Sequence, residues 1–279
     1  MAVFERLTEA TRDRWDEFVL AHPRGTWWHT SHWLDYQAAY TGGENASAFL
    51  MRGDEIVAIS PMIVAGGRAE MGGMPLPLAL WADGTATPPD RLIGGLRSGR
   101  FMGALGAEGD ERSAMWRTRV LDLDVSAEKL WRDVRKSYHA LVHHGERCYR
   151  IEVGATEQLG IDFERVHRDA GGHRAGRTYE LNRAWLGRFG FVACAYARDA
   201  AQEPVGAILV FVYGKNWAYY ASGPSLLPNV QHALQWAVIT TLLARGDVRQ
   251  YELGWQGEAT TEKGRNIEFF KRGWGGRDV

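Results

Sequence analysis

A chain of 279 residues with 45% hydrophobic and 24% charged side chains has the composition of a globular protein. That excludes a disordered, collagen-like or coiled-coil chain, and at about 150 residues per domain it fits two domains or one large one. Lys plus Arg number 33 against 34 Asp plus Glu, a formal net charge of −1. A general nucleic-acid binder, which needs a concentrated basic excess for counterion release, is thereby disfavoured, although a local basic patch stays open. The longest apolar stretch, 56–65, is broken by Ser60 and Pro61 and falls well short of the ~20 residues of a membrane span. The first fifteen residues carry both signs of charge and no signal-peptide core. A cytoplasmic protein is the expectation. Its two cysteines, Cys148 and Cys194, are then expected as thiols rather than as a disulfide. The 33 glycines predict many tight turns.

In chain order, residues 11–20 read as a short helix with Trp15, Phe18 and Val19 on one side, broken by Pro23 and Gly25. Ser31 can cap a second helix to about Tyr40, stopped by Gly42. Strand-like runs follow at 46–51, 56–64 and 68–72, the first two joined by the hairpin signal Arg52-Gly53-Asp54-Glu55. An apolar run over 74–83 stops at Asp83-Gly84; 85–99 reads as a loop with a possible short helix, and 116–122 as a strand. Ser126 begins one helix over 128–144, followed by a strand at 147–153 and helices at 158–170 and 178–188. Strands are predicted at 190–198, 204–213 and 216–222, then the clearest helix, 229–245, a strand at 248–254 and a last helix at 261–271. Each half runs from helices into an antiparallel-looking meander, which suggests two related α/β halves, 1–124 and 125–279.

Several chemistries lack their motifs. There is no G-x-S-x-G elbow, no P-loop and no G-x-G-x-x-G after a strand. Gly103, Gly106 and Gly109 read as turn glycines. His139 and His143 are spaced i, i+4 on a helix, a spacing that can hold zinc, but the bland reading is a solvated or packed helix face, and no metal is expected. His29 and His32 beside Trp27, Trp28 and Trp33 read equally as helix caps with aromatic packing or as a pocket wall.

The chemistry-bearing unit is 204–254. A strand, a turn and a second strand lead through Gly223-Pro224-Ser225-Leu226-Leu227-Pro228-Asn229 into the helix 229–245, and the strand Tyr251-Glu252-Leu253-Gly254 follows. A strand, a helix start and a parallel-running strand can aim free backbone N–H groups at a carbonyl or an anion. Ser222, Gly223, Leu227, Asn229 and Val230 are the residues of that slot. The plain alternative is a β-α-β crossover without a ligand.

Continuing from this unit, Lys263-Gly264 and Phe270-Lys271 through Gly275 follow the strand end Leu253-Gly254. In order and spacing this resembles the C-terminal half of Fem-type (FemAB-like) members of the GNAT acyltransferase superfamily. Val134-Arg135-Lys136-Ser137-Tyr138 resembles the family's basic helix start. Gly25-Thr26-Trp27-Trp28-His29 with Trp33-Leu34 resembles its opening. His167, Ala170-Gly171-Gly172 and Arg174 resemble a pattern of a subgroup linked to surface-sugar biosynthesis, at a shorter spacing. The superfamily's Arg/Gln-x-x-Gly-x-Gly/Ala signature is missing; the nearest stretch, 100–105, ends in Leu. The resemblance implies an α/β (α+β) fold of two tandem GNAT-like domains, each a mixed, mainly antiparallel sheet flanked by helices, with the donor slot in the second. It implies transfer of an acyl group from acyl-CoA, as co-substrate, to the amine of a nucleotide-linked amino sugar or similar cell-envelope precursor. An aminoacyl-tRNA-dependent transferase and a non-catalytic GNAT-fold binding module are the alternatives, tRNA being disfavoured by the net charge.

Amide formation needs a neutral amine, an acceptor for its proton and stabilisation of the oxyanion. Asp83, Glu252 and His167 are the candidate bases. Asp83 reads alternatively as an Asp-Gly turn residue and Glu252 as an outward strand residue. Lys263, Arg265 and Lys271 can contact phosphates, with Arg174 on the substrate side, while His29, Trp33 and Tyr220 can line or stack in a substrate site. With 12 Trp, exposed aromatics would permit a homodimer.

Overall fold

The computed structural model describes residues 3–66, 68–70, 79–87, 117–199, 202–214, 216–256, 259 and 261–278. The start of the predicted 74–83 run, the 88–99 loop, the glycines at 103, 106 and 109, and the 100–105 stretch lie outside them. The chain divides into two compact units, residues 1–114 with 175–181 and residues 115–174 with 182–279.

In the first unit, β1 (Val3–Arg6) precedes α1 (Arg12–Ala21) and α2 (Ser31–Thr41). Thr30, one residue before the predicted cap, closes the start of α2 by accepting from Trp33 N, and Gly42 ends the helix in the left-handed region, where only glycine is unstrained. The remaining strands are β2 (Glu44–Asn45), β3 (Ala48–Arg52), β4 (Glu55–Ser60), β5 (Ile63–Ala65), β6 (Arg68–Glu70), β7 (Ala79–Trp81) and β8 (Ala86–Thr87). They form two sheets, ordered β1-β3-β4-β7-β8 and β2-β5-β6, antiparallel at every pairing. The run predicted as one strand over 56–64 is two, because Pro61 lacks the N–H a ladder needs.

The second unit holds β9 (Arg117–Asp122), α3 (Ala127–Asp133), α4 (Lys136–Cys148), β10 (Tyr149–Gly154) and α5 (Glu157–Asp169). The chain continues through α6 (Gly176–Trp185), whose residues up to Leu181 count with the first unit, and then β11 (Gly190–Ala197), β12 (Pro204–Tyr213), β13 (Trp217–Ser222), α7 (Val230–Arg245), β14 (Gln250–Gln256), α8 (Glu262–Arg272) and β15 (Arg277–Asp278). The single helix predicted over 128–144 is two, separated at Val134-Arg135. The Arg135 N–H leaves the helical ladder to donate to Gly273 O at 2.8 Å, tying the start of α4 to the end of α8. The strand at 117–122, which the sequence reading assigns to the first half, pairs with β14 in the second unit's sheet.

That sheet is ordered β10-β11-β12-β13-β14-β9-β15. Its one parallel pair is β13 with β14, joined by the crossover helix α7 as a parallel connection requires. The strand β12 is buried along nearly its whole length, which explains its unbroken apolar run. Against it α7 buries Val230, Leu234, Val238, Ile239 and Leu242, the i, i+4, i+8 stripe of its sequence. Gly206 makes the close approach: a Cβ there would sit 2.7 Å from Val230 Cγ1. Truncating a buried Leu of this stripe costs about 2–5 kcal/mol.

Candidate active site

The parallel pairing of β13 and β14 runs from Trp217↔Gln250 to Tyr219↔Glu252 and goes no further. At that point β14 carries a bulge against β9, between Glu252 and Gly254, and Gly254 has φ +79. A bulge with a left-handed glycine re-aims a strand. The two strands therefore separate where β13 delivers Tyr220, Ala221 and Ser222. A cleft of about 710 Å³ opens there, lined by Tyr219, Tyr220, Gly223 and Gln231 on one side and by Lys263, Asn266, Phe270 and Lys271 of α8 on the other. Thr261 caps α8, its side chain accepting from Gly264 N at 3.1 Å. Lys263, Asn266, Phe270 and Lys271 recur at helical spacing and share one face.

Lys271 and Glu252 are the charged pair of this site. Glu252 is 6% exposed. Its carboxylate accepts from Thr118 Oγ1 at 2.7 Å and from Trp217 Nε1 at 3.0 Å. Burial pushes its pKa up, and the two hydrogen bonds and Lys271 oppose that rise. Lys271 lines the cleft, and a Cβ built on Gly254 would stand 3.4 Å from its Nζ and 3.3 Å from the Tyr219 hydroxyl. Ammonium and phenol thus converge over the bulge glycine. Burial lowers the Lys271 pKa to about 8, with Glu252 and Glu268 acting the other way. Near neutral pH this amine stands close to its titration point, unlike an ordinary lysine near 10.4.

Of the residues singled out in the sequence, Tyr220, Gly223, Lys263 and Lys271 meet in this cleft, with Glu252 behind Lys271. Ser222 follows Ala221 and accepts from Arg174 Nη2 at 3.3 Å. Arg174 lies electrostatically against His167, whose pKa falls to about 4 through burial and then through Arg174, Arg168 and His173. His167 is accordingly a neutral imidazole at physiological pH. Asn229 is the left-handed residue before α7, Val230 is fully buried against Gly206, and Leu227 is exposed. The loop 223–229 is pinned to β12 by Ala207 N donating to Pro224 O at 3.0 Å and Leu226 N donating to Val205 O at 2.8 Å.

Three candidates belong to the first unit. Asp83 is fully exposed in the turn between β7 and β8. Its Oδ1 accepts from Thr85 Oγ1 at 2.7 Å and from Thr85 N at 2.9 Å, which holds its pKa down. This is the geometry of an Asp-Gly turn. His29 is buried, with Nδ1 2.8 Å from Thr26 Oγ1, and its carbonyl accepts from Trp15 Nε1 at 2.7 Å. Trp33 packs between Trp27 and Tyr36, ring centroids 4.4 and 5.4 Å away. The basic start Arg135-Lys136 serves α8: the Arg135 guanidinium lies 3.7 Å over the Phe269 ring. His139 stacks on Trp131 at 4.1 Å and its Nε2 lies 3.0 Å from Trp131 O, while His143 pairs with Glu146. Cys148 and Cys194 are free thiols, and burial pushes Cys194 up to about 12.

The sequence reading missed Tyr219, Gln231, Asn266 and Phe270 as lining, and Thr118 and Trp217 as holders of Glu252. One signal was present: Gln231 and Gln235 are polar at i, i+4 on an otherwise apolar helix, Gln235 on its buried face and Gln231 half-buried.

No family model matches the sequence, and the search of curated proteins gives no match. Solved structures do match. FemX aligns with a TM-score of 0.65 at 10% identity over 99% of this chain and 95% of that one. A tandem GNAT protein from the clavulanic acid biosynthesis pathway aligns at 0.53 and 13% identity, over 100% of this chain and 96% of that one. The C-terminal domain of a putative lysylphosphatidylglycerol synthetase from Agrobacterium fabrum aligns at 0.56 and 11% identity, over 96% and 89%. The fold is that of two tandem GNAT-like domains, mixed α/β with antiparallel and mixed sheets flanked by helices.

Proposed function

We propose that the protein is an N-acyltransferase that accepts an acyl group from acyl-CoA in the cleft between β13 and α8 and passes it to an amine. Lys271 carries this reading: a half-buried amine, lowered to about 8, on the wall of the cleft where two parallel strands part. The acceptor amine attacks the thioester carbonyl, and the tetrahedral oxyanion forms and collapses with loss of the thiolate. Lys271 in its neutral form takes the proton the nitrogen sheds and can return it to the departing sulfur. The Tyr219 hydroxyl beside it is placed to donate to developing negative charge. Glu252 holds no place in the lining and acts through Lys271, opposing its loss of charge, so it is a positioning residue. Lys263 at the capped start of α8 is suited to phosphate contact. A nucleotide-linked amino sugar is the acceptor class we favour, on the ordered sequence resemblance described above.

The test is thiol release from acyl-CoA with nucleotide-linked amino sugars, run beside CoA calorimetry. Turnover is expected to rise with pH along a limb centred near 8. No turnover together with no CoA binding would reject the acyl-CoA version.

A further inference from the structure

Lysine is rare in this chain. Of its 33 basic side chains only five are lysines, Lys129, Lys136, Lys215, Lys263 and Lys271, and two of them, Lys263 and Lys271, line the cleft between β13 and α8. An arginine keeps its proton at neutral pH and cannot attack a carbonyl. An amine that has lost its proton can. The two cleft lysines are not equivalent. Lys263 is exposed in the first turn of α8. Lys271 lies eight residues on, about 12 Å along the helix axis, and is half-buried at the β14 bulge. Gly254 presents only bare backbone to its Nζ: a Cβ there would stand 3.4 Å away. Tyr219, Tyr220 and Phe270 line the same cleft, and burial favours the neutral amine.

The lone pair that takes a proton from an acceptor amine is also the lone pair of a nucleophile. To take that proton, Nζ must come within about 2.6–3.2 Å of the attacking nitrogen. That nitrogen itself stands about 3–3.5 Å from the thioester carbon. Nζ is then never more than about 7 Å from the carbonyl, and when no acceptor stands between them the flexible four-carbon stem of lysine can close that gap. Attack forms the N–C bond. The tetrahedral oxyanion collapses with cleavage of the C–S bond, and the proton shed by the nitrogen goes to the departing thiolate. The product is an amide and a free thiol. The amide nitrogen no longer titrates near neutral pH, so Lys271 can neither accept a proton nor react again.

We propose that Lys271 is a self-acylation site: in a chain that has bound an acyl thioester but no acceptor, the acyl group passes to Nζ of Lys271 and switches the transferase off. The inference rests on the acyltransferase reading and adds to it a modification that the transfer cycle does not contain. Glu252 is the guard against it. Its buried carboxylate favours the ammonium form of Lys271, which has no lone pair to offer.

The experiment is mass spectrometry of the full chain, intact and as mapped peptides, after incubation without acceptor. The probes are acetyl-CoA and the acetyl thioester of N-acetylcysteamine, run beside calorimetry of CoA itself. At pH 7 an amine titrating near 8 is neutral about 200-fold more often than an ordinary lysine near 10.4. Its lower basicity makes it a weaker nucleophile, so part of that factor is lost. Lys271 should gain one acetyl group at least about tenfold faster than the exposed Lys129 and Lys136 of the same molecule, with one thiol released for each chain acylated. The comparison lies within the wild-type chain and needs no variant to fold. Glu252→Gln should raise the rate at Lys271 about threefold or more at pH 7 and leave Lys129 unchanged, since it increases the neutral fraction of the amine. CoA binding with Lys271 acetylated no faster than Lys129 and Lys136 overturns self-acylation and leaves the acyl-CoA reading standing. Acetylation of Lys263 in place of Lys271 does the same. Selective acetylation of Lys271 by the small thioester, with no binding of CoA, sinks the acyl-CoA reading and upholds the reactive amine. No CoA binding and no selective acetylation by either probe overturns both.

Discussion

The aromatic corner of the first unit and the cleft of the second both bury polar side chains, and they treat them differently. In the corner, Asp16 is 8% exposed and accepts from Ser31 N at 2.8 Å and Ser31 Oγ at 2.7 Å. His29 meets Thr26, and Ser47 Oγ accepts from Met62 N at 2.9 Å. These groups are matched at short range, and their work is to fix where α2 starts and how β3 enters the sheet. At the cleft, Gln231 Oε1 is buried without a hydrogen-bond partner among the described residues, and Lys271 is driven toward neutrality. Burial alone therefore does not mark function. A charged group driven toward neutrality on the wall of a cleft is the stronger mark, since unmatched buried polar atoms also occur away from the cleft, at Ser60 Oγ and the Asn182 amide.

The sharpest way to break this contrast is at Lys271. Lys271→Met should lower kcat/KM by about 10²–10⁴-fold, the range for removing a proton-transfer group. Lys271→Arg should not restore it, since a guanidinium stays protonated. Melting temperature and donor calorimetry on the same variants separate loss of chemistry from loss of fold or binding. Next in size is Glu252→Gln. Its amide oxygen can still accept from Trp217 Nε1 while its NH2 donates to Thr118 Oγ1, and the negative charge that raises the Lys271 pKa is removed. The Lys271 pKa should then fall below 8, so the ascending limb of the pH–rate profile should move to lower pH, with kcat reduced about tenfold to a hundredfold, part of the general-base contribution. A merely structural role for Glu252 would lower stability and leave that limb where it was.

Gly223→Ala probes the cleft wall. Its Cβ would fall 1.7 Å from the Tyr220 hydroxyl, so the phenol must swing away from its place. We expect donor KM to rise about tenfold with kcat nearly unchanged, the pattern of lost uniform binding, and a stability cost of about 1–3 kcal/mol for overpacking. A smaller effect is expected of His167. Its folded pKa of about 4 lies below the ordinary 6.5, so the unfolded chain binds more protons between those values. Stability is then lost as pH falls from 6.5 to 4, by on the order of 1–3 kcal/mol. His167→Gln should flatten that part of a denaturation-midpoint curve against pH.

Much of the second unit was legible because local signals and burial agree there. The stripe of α7, the Gly246 stop and the run of β12 are periodic in the sequence, and the elements fall where periodicity puts them. Phe270-Lys271 and Leu253-Gly254 carried the resemblance and also frame the cleft. What escaped is tertiary. The break at Val134-Arg135 exists because Arg135 N finds Gly273, 138 residues later. That β9 pairs with β14, and that Thr118 on it holds Glu252, are long-range facts of register. Nor does any local pattern tell a lysine facing solvent from one pressed against a bulge glycine. Glu252 as an outward strand residue was a fair reading of alternation; that its face is covered by Thr118 and Trp217 is known only from the fold.

Asp83 sharpens the comparison from the first unit, where the smallest effect is expected. A general base needs a pKa near the working pH and a path to the proton it removes. Asp83 has the reverse bias: two hydrogen bonds from Thr85 stabilise its charged form and hold its pKa below the ordinary carboxylate range. Those bonds also explain the residue, since an Asp side chain bonding the N–H two positions on, before Gly84 at φ +86, builds a tight turn between β7 and β8. Asn keeps the acceptor oxygen and the turn geometry while removing the charge. Asp83→Asn should therefore leave kcat/KM within about twofold and the pH–rate limb unmoved, outside the 10²–10⁴-fold range of a lost base. A loss in that range, in a variant that melts like the parent, would move the proton acceptor out of the second unit and leave Lys271 as a substrate contact.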